Sequence, residues 1–444
     1  MRICAPNDQN AAQREIRLAT GETTSFETKS YAISSLNKGL GLLGPSSEGK
    51  EIAGLGWNLL REDLSLPAAV LYRDRLEHNL AWMRRFIEEY GVKLAPHGKT
   101  TMAPALFDMQ LKSGAWGITL ATANQTLVAH AHGVRRVLMA NELVGKENMS
   151  IISRLLTDPG FDFYCLVDSA ELVEQLGAHF SEAGQKLQVL VELGVMGGRA
   201  GVRNDQQLQD VLQALAKWDG TIQLCGVEIY EGVLDSEESI RAFLRHAVET
   251  TNELIAQERI RHKPALLTGA GSAWYDVVAE EFTAAGFGDA VEIVLRPGCY
   301  LTHDVGSYRK AQTRISEHNP IARKMHSGLL PALQIWAYVQ SVPEPEKAII
   351  GLGKRDAAFD SGLPVPARFY RPGTAEPVEA PAHWTVTKMM DQHAFLQIAV
   401  GDTVRVGDMI GFDICHPCLT FDKWRAIPIV NSEFQVVDVV QTFF

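Results

Sequence analysis

Lys99, in the run Pro96-His97-Gly98-Lys99-Thr100, has a setting that could support covalent chemistry. It follows the apolar stretch 92–95, which reads as a strand, and Pro96 and Gly98 fix a tight turn around it. A lysine held in a partly desolvated cleft has a lowered pKa and can form a Schiff base with an aldehyde. A solvated loop lysine is the plain alternative, so the surroundings must decide. The turn Thr268-Gly269-Ala270-Gly271-Ser272 follows a later strand and precedes a helix starting near Ala273. Small residues there let backbone N–H groups approach a phosphate at a helix N-terminus, although a simple tight turn would look the same. Cys415-His416-Pro417-Cys418 admits three readings. A redox dithiol should open a helix, a structural zinc site needs a second ligand pair, and an open catalytic site would hold zinc through His416 and Cys418. Without further context, two buried residues and no metal is the simplest of these. His393, in Met389-Met390-Asp391-Gln392-His393, reads as a core histidine or as a group that holds substrate. Arg199 follows another strand end, where a surface ion pair is the usual fate of an arginine.

The elements that position these residues follow from the hydrophobic pattern. Apolar runs at 92–95, 117–121, 136–140, 163–167, 187–191, 225–229, 265–268 and 291–295 alternate with helical periods such as 236–259. Eight buried strands in βα alternation predict a (β/α)8 barrel, with a doubly wound sheet as the competitor. In such a barrel Lys99 lies at the C-terminal mouth of the first strand and the glycine turn follows the seventh, where phosphate sites recur. Before the barrel, 68–72 reads as a strand, and Leu76, Leu80, Met83 and Ile87 as one face of a helix. After about residue 325 the helical period disappears. Residues 333–339 and parts of 404–412 and 434–440 alternate with period two, predicting a second, all-β domain. The expected organisation is an N-terminal segment 1–72 partly joining the β domain, a barrel over 73–322, and a β domain over 323–444. Gly44-Pro45-Ser46-Ser47 marks a loop in the first segment.

Composition narrows the function classes. The 444 residues are 46% hydrophobic and 21% charged, with a formal net charge of −11. No Lys/Arg block is present, which argues against nucleic acid and anionic membrane surfaces. Cys4, Cys165, Cys225, Cys299, Cys415 and Cys418 are scattered rather than set in a disulfide framework, as expected for a reducing cytoplasm. The first residues lack the apolar stretch of a signal peptide.

Taken together, the segments resemble the D-threonine aldolase and D-serine dehydratase family, pyridoxal-phosphate (PLP) enzymes of the alanine racemase fold. The resemblance runs from about Leu66 onward and is carried by 96–100, the Gly-Arg-Ala-Gly-Val at 198–202, 226–232, 268–272, Arg296-Pro297-Gly298-Cys299-Tyr300 with Asp304, 391–393 and His416-Pro417-Cys418. It implies that Lys99 carries PLP, flanked by His97 and Thr100. Thr268, Gly269, Gly271 and Ser272 would form the phosphate turn. Arg199 or a nearby group would face the pyridine nitrogen, with Tyr230 and Tyr300 close to the cofactor. His393 would be catalytic, and His416 and Cys418 would bind zinc or a similar divalent metal. It further implies a homodimer in which the β domain of one subunit completes the site of another. The expected substrate is a small D-hydroxyamino acid of the D-serine or D-threonine type, dehydrated to a 2-oxo acid and ammonia. The His-x-Cys pattern is closer to the dehydratases, whereas the aldolases tend to have His-x-Asp. Aldolase, racemase and a non-enzymatic PLP-homeostasis protein are the alternatives. Ala270, Cys299 and Ala394 depart from the commoner wording of the family.

Overall fold

The computed structural model describes residues 15–17, 23–25, 32–43 and 49–444. Cys4 and the 44–47 loop lie outside them. A short antiparallel ribbon, β1 (Glu15–Arg17) and β2 (Thr23–Ser25), precedes the two main sheets. The chain then enters β3 (Ala68–Tyr72), every residue of which is buried. It continues into the helix Arg73–Tyr90, which buries Leu76, Leu80, Met83 and Ile87 and ends at Gly91 in the left-handed region (φ 67°).

The eight expected barrel strands are all present. They are β4 (Lys93–Leu94), β5 (Ile118–Leu120), β6 (Arg136–Glu142), β7 (Asp162–Val167), β8 (Leu187–Leu193), β9 (Ile222–Ile229), β10 (Ala265–Gly269) and β11 (Val291–Leu295). They pair in parallel in the order β4-β11-β10-β9-β8-β7-β6-β5. The ends of this path close through a parallel bridge between His97 and Thr119. Trp116 N–H to Leu94 O (2.7 Å) and Thr119 N–H to Pro96 O (3.0 Å) complete the seam. Lys99 therefore leaves the barrel where the barrel closes. Inside, Ala95, Leu138, Leu166, Leu190, Leu266 and Val294 pack together. Gly226 is obligatory there, because a Cβ would collide with the Leu266 backbone.

The second body is antiparallel. β12 (Leu333–Glu344) is central, pairing with β3, with β13 (Lys347–Ile350) and with β18 (Met409–Asp413). β14 (Val365–Tyr370) and β15 (Val378–Glu379) extend one edge, and β16 (Thr385–Met389) and β17 (Ala394–Gln397) the other. β19 (Ala426–Val430) joins β20 (Val436–Gln441) and β3. The two bodies thus share the chain at β3, as the strand reading of 68–72 anticipates. Within 404–412 the part that forms a strand is Met409–Phe412, and 404–407 precede it without strand structure. One expectation is corrected. A one-turn helix, Cys418–Phe421, interrupts the C-terminal stretch and starts at Cys418 itself. Four residues are too few to show a helical period in sequence. No helix among the described residues is long and apolar enough to cross a membrane.

Asn79, fully buried on the first long helix, ties that helix to the passage between the bodies. Its amide donates to Leu301 O and Leu330 O and accepts from Leu330 N–H, each at 2.8 Å. Asn79→Ala leaves three backbone groups without these partners, Leu301 O in the core and the two Leu330 groups nearer the surface, a cost of about 2 kcal/mol. The variant is expected to unfold at clearly lower urea with an unchanged far-UV spectrum. An unchanged midpoint contradicts this role.

Candidate active site

A cavity of about 710 Å³, counted to its open mouth, lies at the C-terminal end of the barrel strands. Its walls include His97, Lys99, Arg199, Tyr230, Arg296, Tyr308, His416 and Cys418. Lys99 projects into it from a single 3-10 turn, Gly98–Thr100. Gly98 is required there: a Cβ would meet Ile118 and Phe107 at 2.8 Å. His97 is held neutral, its pKa well below the usual value through burial and the nearby Lys99 charge, and its Nδ1 is buried without a partner.

The 268–272 turn forms a second wall through Ala270, Gly271 and Ser272. Ala270 takes a positive φ of 84°. The buried Glu231 carboxylate accepts from Ala270 N–H (3.2 Å) and Gly271 N–H (2.6 Å), bracing the turn from behind. Ser272 Oγ accepts from Gly298 N–H (3.2 Å) and Cys299 N–H (3.0 Å), linking this turn to the strand-end loop after β11. Gly298 lets that loop press on the lysine turn, since a Cβ would lie 2.6 Å from His97 O. The helix after the turn begins at Tyr275.

The floor is charged. Arg296 is buried, pairs with Glu228 and donates to Ile229 O at 2.8 Å, while its Nε has no protein partner. Arg199 is half exposed, lies 3.6 Å from Glu192 and sits 5.0 Å over the Tyr230 ring. Burial and the proximity of Glu192 push the Glu142 carboxyl up to about 8. Burial and the Glu228 charge push Glu192 up to about 7. Both carboxyls are therefore biased toward the protonated form near neutrality, which reduces the buried negative charge in the barrel.

The fourth wall comes from the β body. Cys418 Sγ lies 3.5 Å from Thr100 Oγ1 and 3.8 Å from Cys299 Sγ. His416 Nδ1 contacts Asp360 Oδ2 at 2.7 Å, and the ring also hydrogen-bonds with Cys418. Hydrogen bonds with Cys418 and Asp360 raise the His416 pKa, and contacts from Cys299 and His416 hold the Cys418 thiol low. Cys415 faces away and donates to Leu363 O at 3.2 Å, so Cys415 and Cys418 are not a dithiol pair. All five described cysteines are free. Tyr308 reaches the cavity from the first turn of the helix Ser307–His318, whose start is held by Asp304: its Oδ1 accepts from Gly306 N–H (2.8 Å) and Tyr308 N–H (3.1 Å).

The structure brings together His97, Lys99, Thr100, Arg199, Tyr230, Gly271, Ser272, His416 and Cys418. It places four expected residues elsewhere. Thr268 is buried with its hydroxyl committed to Val294 O (2.8 Å), Gly269 ends β10, Tyr300 is buried behind the wall, and His393 is exposed between β16 and β17. The core reading of His393 is thereby corrected: its hairpin turn projects outward. Sequence reasoning missed Arg296, Glu231, Tyr308 and Asp360 as site residues. Arg296 carried the same strand-end signal as Lys99, directly after an apolar run. Nothing in spacing connects Asp360 with His416, because they meet only through the fold.

This barrel with an appended antiparallel body defines a protein of the alanine racemase type. Residues 71–292 match the family described as "Alanine racemase, N-terminal domain", and 332–430 match the "Putative serine dehydratase domain". The chain belongs to the D-threonine aldolase and D-serine dehydratase family. It is 25% identical over 374 residues to D-threonine aldolase from Arthrobacter sp., covering 82% of this chain and 89% of that one. It is 30% identical over 184 residues to D-threo-3-hydroxyaspartate dehydratase from Delftia sp. strain HT23, covering 40% and 47%. The crystal structure of D-threonine aldolase from Filomicrobium marinum superposes with a TM-score of 0.72 at 23% identity, over 90% of this chain and 98% of that one.

The site fits the group the family implies. PLP needs a lysine facing a cavity, a phosphate turn of small residues, and polar partners for its ring. Lys99, the Ala270–Ser272 wall and the unpartnered Arg296 Nε and His97 Nδ1 meet these needs. For a divalent metal, imidazole and thiolate are the donors that suit zinc. Among the described residues, no group of three or more His, Cys, Asp or Glu side chains already forms a metal cage. His416 and Cys418 therefore supply a donor pair.

Proposed function

We propose that this chain is a PLP-dependent, metal-assisted dehydratase of D-hydroxyamino acids, releasing a 2-oxo acid and ammonia. The observation that carries the reading is a nitrogen–sulfur donor pair, His416 and Cys418, on the same cavity as Lys99. PLP supplies the electron sink that labilises the bonds at the substrate's Cα. Lys99 would hold it covalently and, once displaced by substrate, would be the amine that removes the Cα proton. Ser272 would donate its hydroxyl proton to the phosphate, and the Ala270 and Gly271 N–H groups would join it on exchanging the Glu231 carboxylate for the phosphate. Arg199 and Arg296 flank the floor, and a guanidinium there would keep the pyridine nitrogen unprotonated because it hardly gives up its own proton.

His416 and Cys418 would hold the metal, which stabilises a departing β-hydroxyl as a Lewis acid. Asp360 on His416 Nδ1 is the orienting contact that metal-bound histidines ordinarily have. Support for a metal also comes from a relative, a mutant D-threo-3-hydroxyaspartate dehydratase solved in a metal-free form. The aldolase reading is favoured by one observation, the longer match to the Arthrobacter enzyme. Products decide between them. D-Serine, D-threonine and D-threo-3-hydroxyaspartate are expected to give 2-oxo acid and ammonia, with turnover abolished by a chelator and restored by zinc. Glycine and an aldehyde as products contradict the dehydratase reading, and chelator-resistant turnover contradicts the metal's role.

We further propose a homodimer in the cytoplasm, with His393 acting in the partner's cavity. Supporting this, Met196, Val233 and Leu419 are exposed within three residues in sequence of the cavity-lining Arg199, Tyr230 and Cys418, and grouped exposed apolar side chains mark contact surfaces. Light scattering is expected to give twice the chain mass, and His393→Ala to lower turnover with PLP content unchanged. A monomer with full activity contradicts both points.

A further inference from the structure

The stretch 32–43 packs on the β body through Ile33 and Leu40 and presents one cation to it, Lys38. Lys38 Nζ donates to Arg355 O at 2.7 Å and to Asp356 Oδ1 at 2.9 Å, and it lies 3.8 Å over the Trp424 ring. Asp356 is buried, and its other oxygen accepts from Gly353 N–H (3.0 Å) and Gln392 Nε2 (3.3 Å). A buried carboxylate is costly unless it is both paired and hydrogen-bonded. Lys38 is the cation in contact with this one.

Asp356 belongs to the loop between β13 and β14, four residues before Asp360, the carboxylate on His416 Nδ1. Two further bonds tie this loop to the wall that bears His416. Asp356 O accepts from Trp424 Nε1 at 2.8 Å, and Ala358 N–H donates to Thr420 Oγ1 at 3.1 Å. The Thr420 hydroxyl in turn donates to His416 O at 2.9 Å. Asp360 itself is exposed, so its position depends on the anchored residues just before it.

We infer that Lys38 is a positioning residue for the metal wall: its ion pair with Asp356 fixes the loop that presents Asp360 to His416. This rests on the metal-assisted reading above. A carboxylate on one ring nitrogen sets the orientation and tautomer of the imidazole and leaves the other nitrogen for a metal. Without Lys38 the buried Asp356 charge is uncompensated. The loop then relaxes outward to hydrate it, and Asp360 moves away from His416. The stretch before the barrel thereby gains a part in the chemistry, although none of it lines the cavity. Because the effect runs through Asp360, substitutions at Lys38 and Asp360 are not additive.

Competition for zinc with a chromophoric chelator tests this, on full-length enzyme loaded with PLP under reducing conditions. Asp360→Asn is expected to weaken zinc binding by roughly 10–100-fold, the usual effect of losing the outer-shell partner of a metal-bound histidine. Lys38→Met acts at one remove and is expected to weaken it by at least about threefold. Lys38→Arg, which keeps the charge and the donors, should match the wild type. In the Asp360→Asn background, Lys38→Met should bring no further loss. Without zinc, amide hydrogen exchange over 353–360 should be faster in Lys38→Met, with the barrel strands unchanged. Lys38→Met with wild-type zinc affinity overturns the inference and leaves the metal reading intact, even if the variant is less stable. Fully additive losses in the double variant do the same. A wild type that binds no zinc overturns both. Should Lys38→Met fail to fold, Lys38→Gln, which keeps a donor for Arg355 O but loses the charge, is measured against the same outcomes.

Discussion

The chemistry depends on one contact between two independently built bodies, the approach of the Cys418 thiol to the Thr100 hydroxyl. Lys99 belongs to the barrel and Cys418 to the one-turn helix of the antiparallel body, so a slip between them would separate the amine from the His416–Cys418 pair. Several connections hold the register. β3 pairs within the sheet through Leu71–Leu333 and Leu71–Ile429, then runs straight into the first helix packed on the barrel. Near the C-terminus, Phe443 N–H bonds to Met102 O at 2.9 Å, directly after the lysine turn. Val305 N–H bonds to Ile414 O at 3.1 Å, joining the segment that leads into the Tyr308 helix to the end of β18, before His416. A site assembled across such a joint needs all of these connections, because each donor tolerates only a fraction of an ångström of misplacement.

Charge is managed within the same constraint. Glu142, Glu192 and Glu228 gather beneath the cavity with Arg296 and Arg199. Burial favours protonated acids, and the two arginines favour ionised ones. The resulting floor can face an aromatic cationic or neutral ring without presenting an uncompensated charge. On the opposite side, Asp360 is exposed and His416 and Cys418 are partly so, which leaves this wall reachable by a small polar molecule.

Much of the fold was legible in sequence because buried parallel strands read as short apolar runs between amphipathic helices. The eight runs and the strand 68–72 needed no tertiary information. The β body was less so: 404–407 alternates like a strand yet is turned by Gly407 (φ 89°) before β18 begins. In the site, residues at strand ends such as Lys99, Arg199 and Ser272 were visible because the barrel rule says where its chemistry lies. Asp360, Tyr308 and Glu231 were not, since each acts through a long-range contact that no local pattern encodes. His393 could not be placed from one chain, as its hairpin turn faces outward.

The proposed chemistry turns on Lys99 as the covalent attachment point for PLP. Wild-type protein reconstituted with PLP should be yellow, with the long-wavelength absorbance of a Schiff base, and borohydride should fix the cofactor on the peptide containing Lys99. Lys99→Ala should remain folded and lack that band. A colourless wild type that cannot be reconstituted, or a modified peptide elsewhere in the chain, would contradict the central claim.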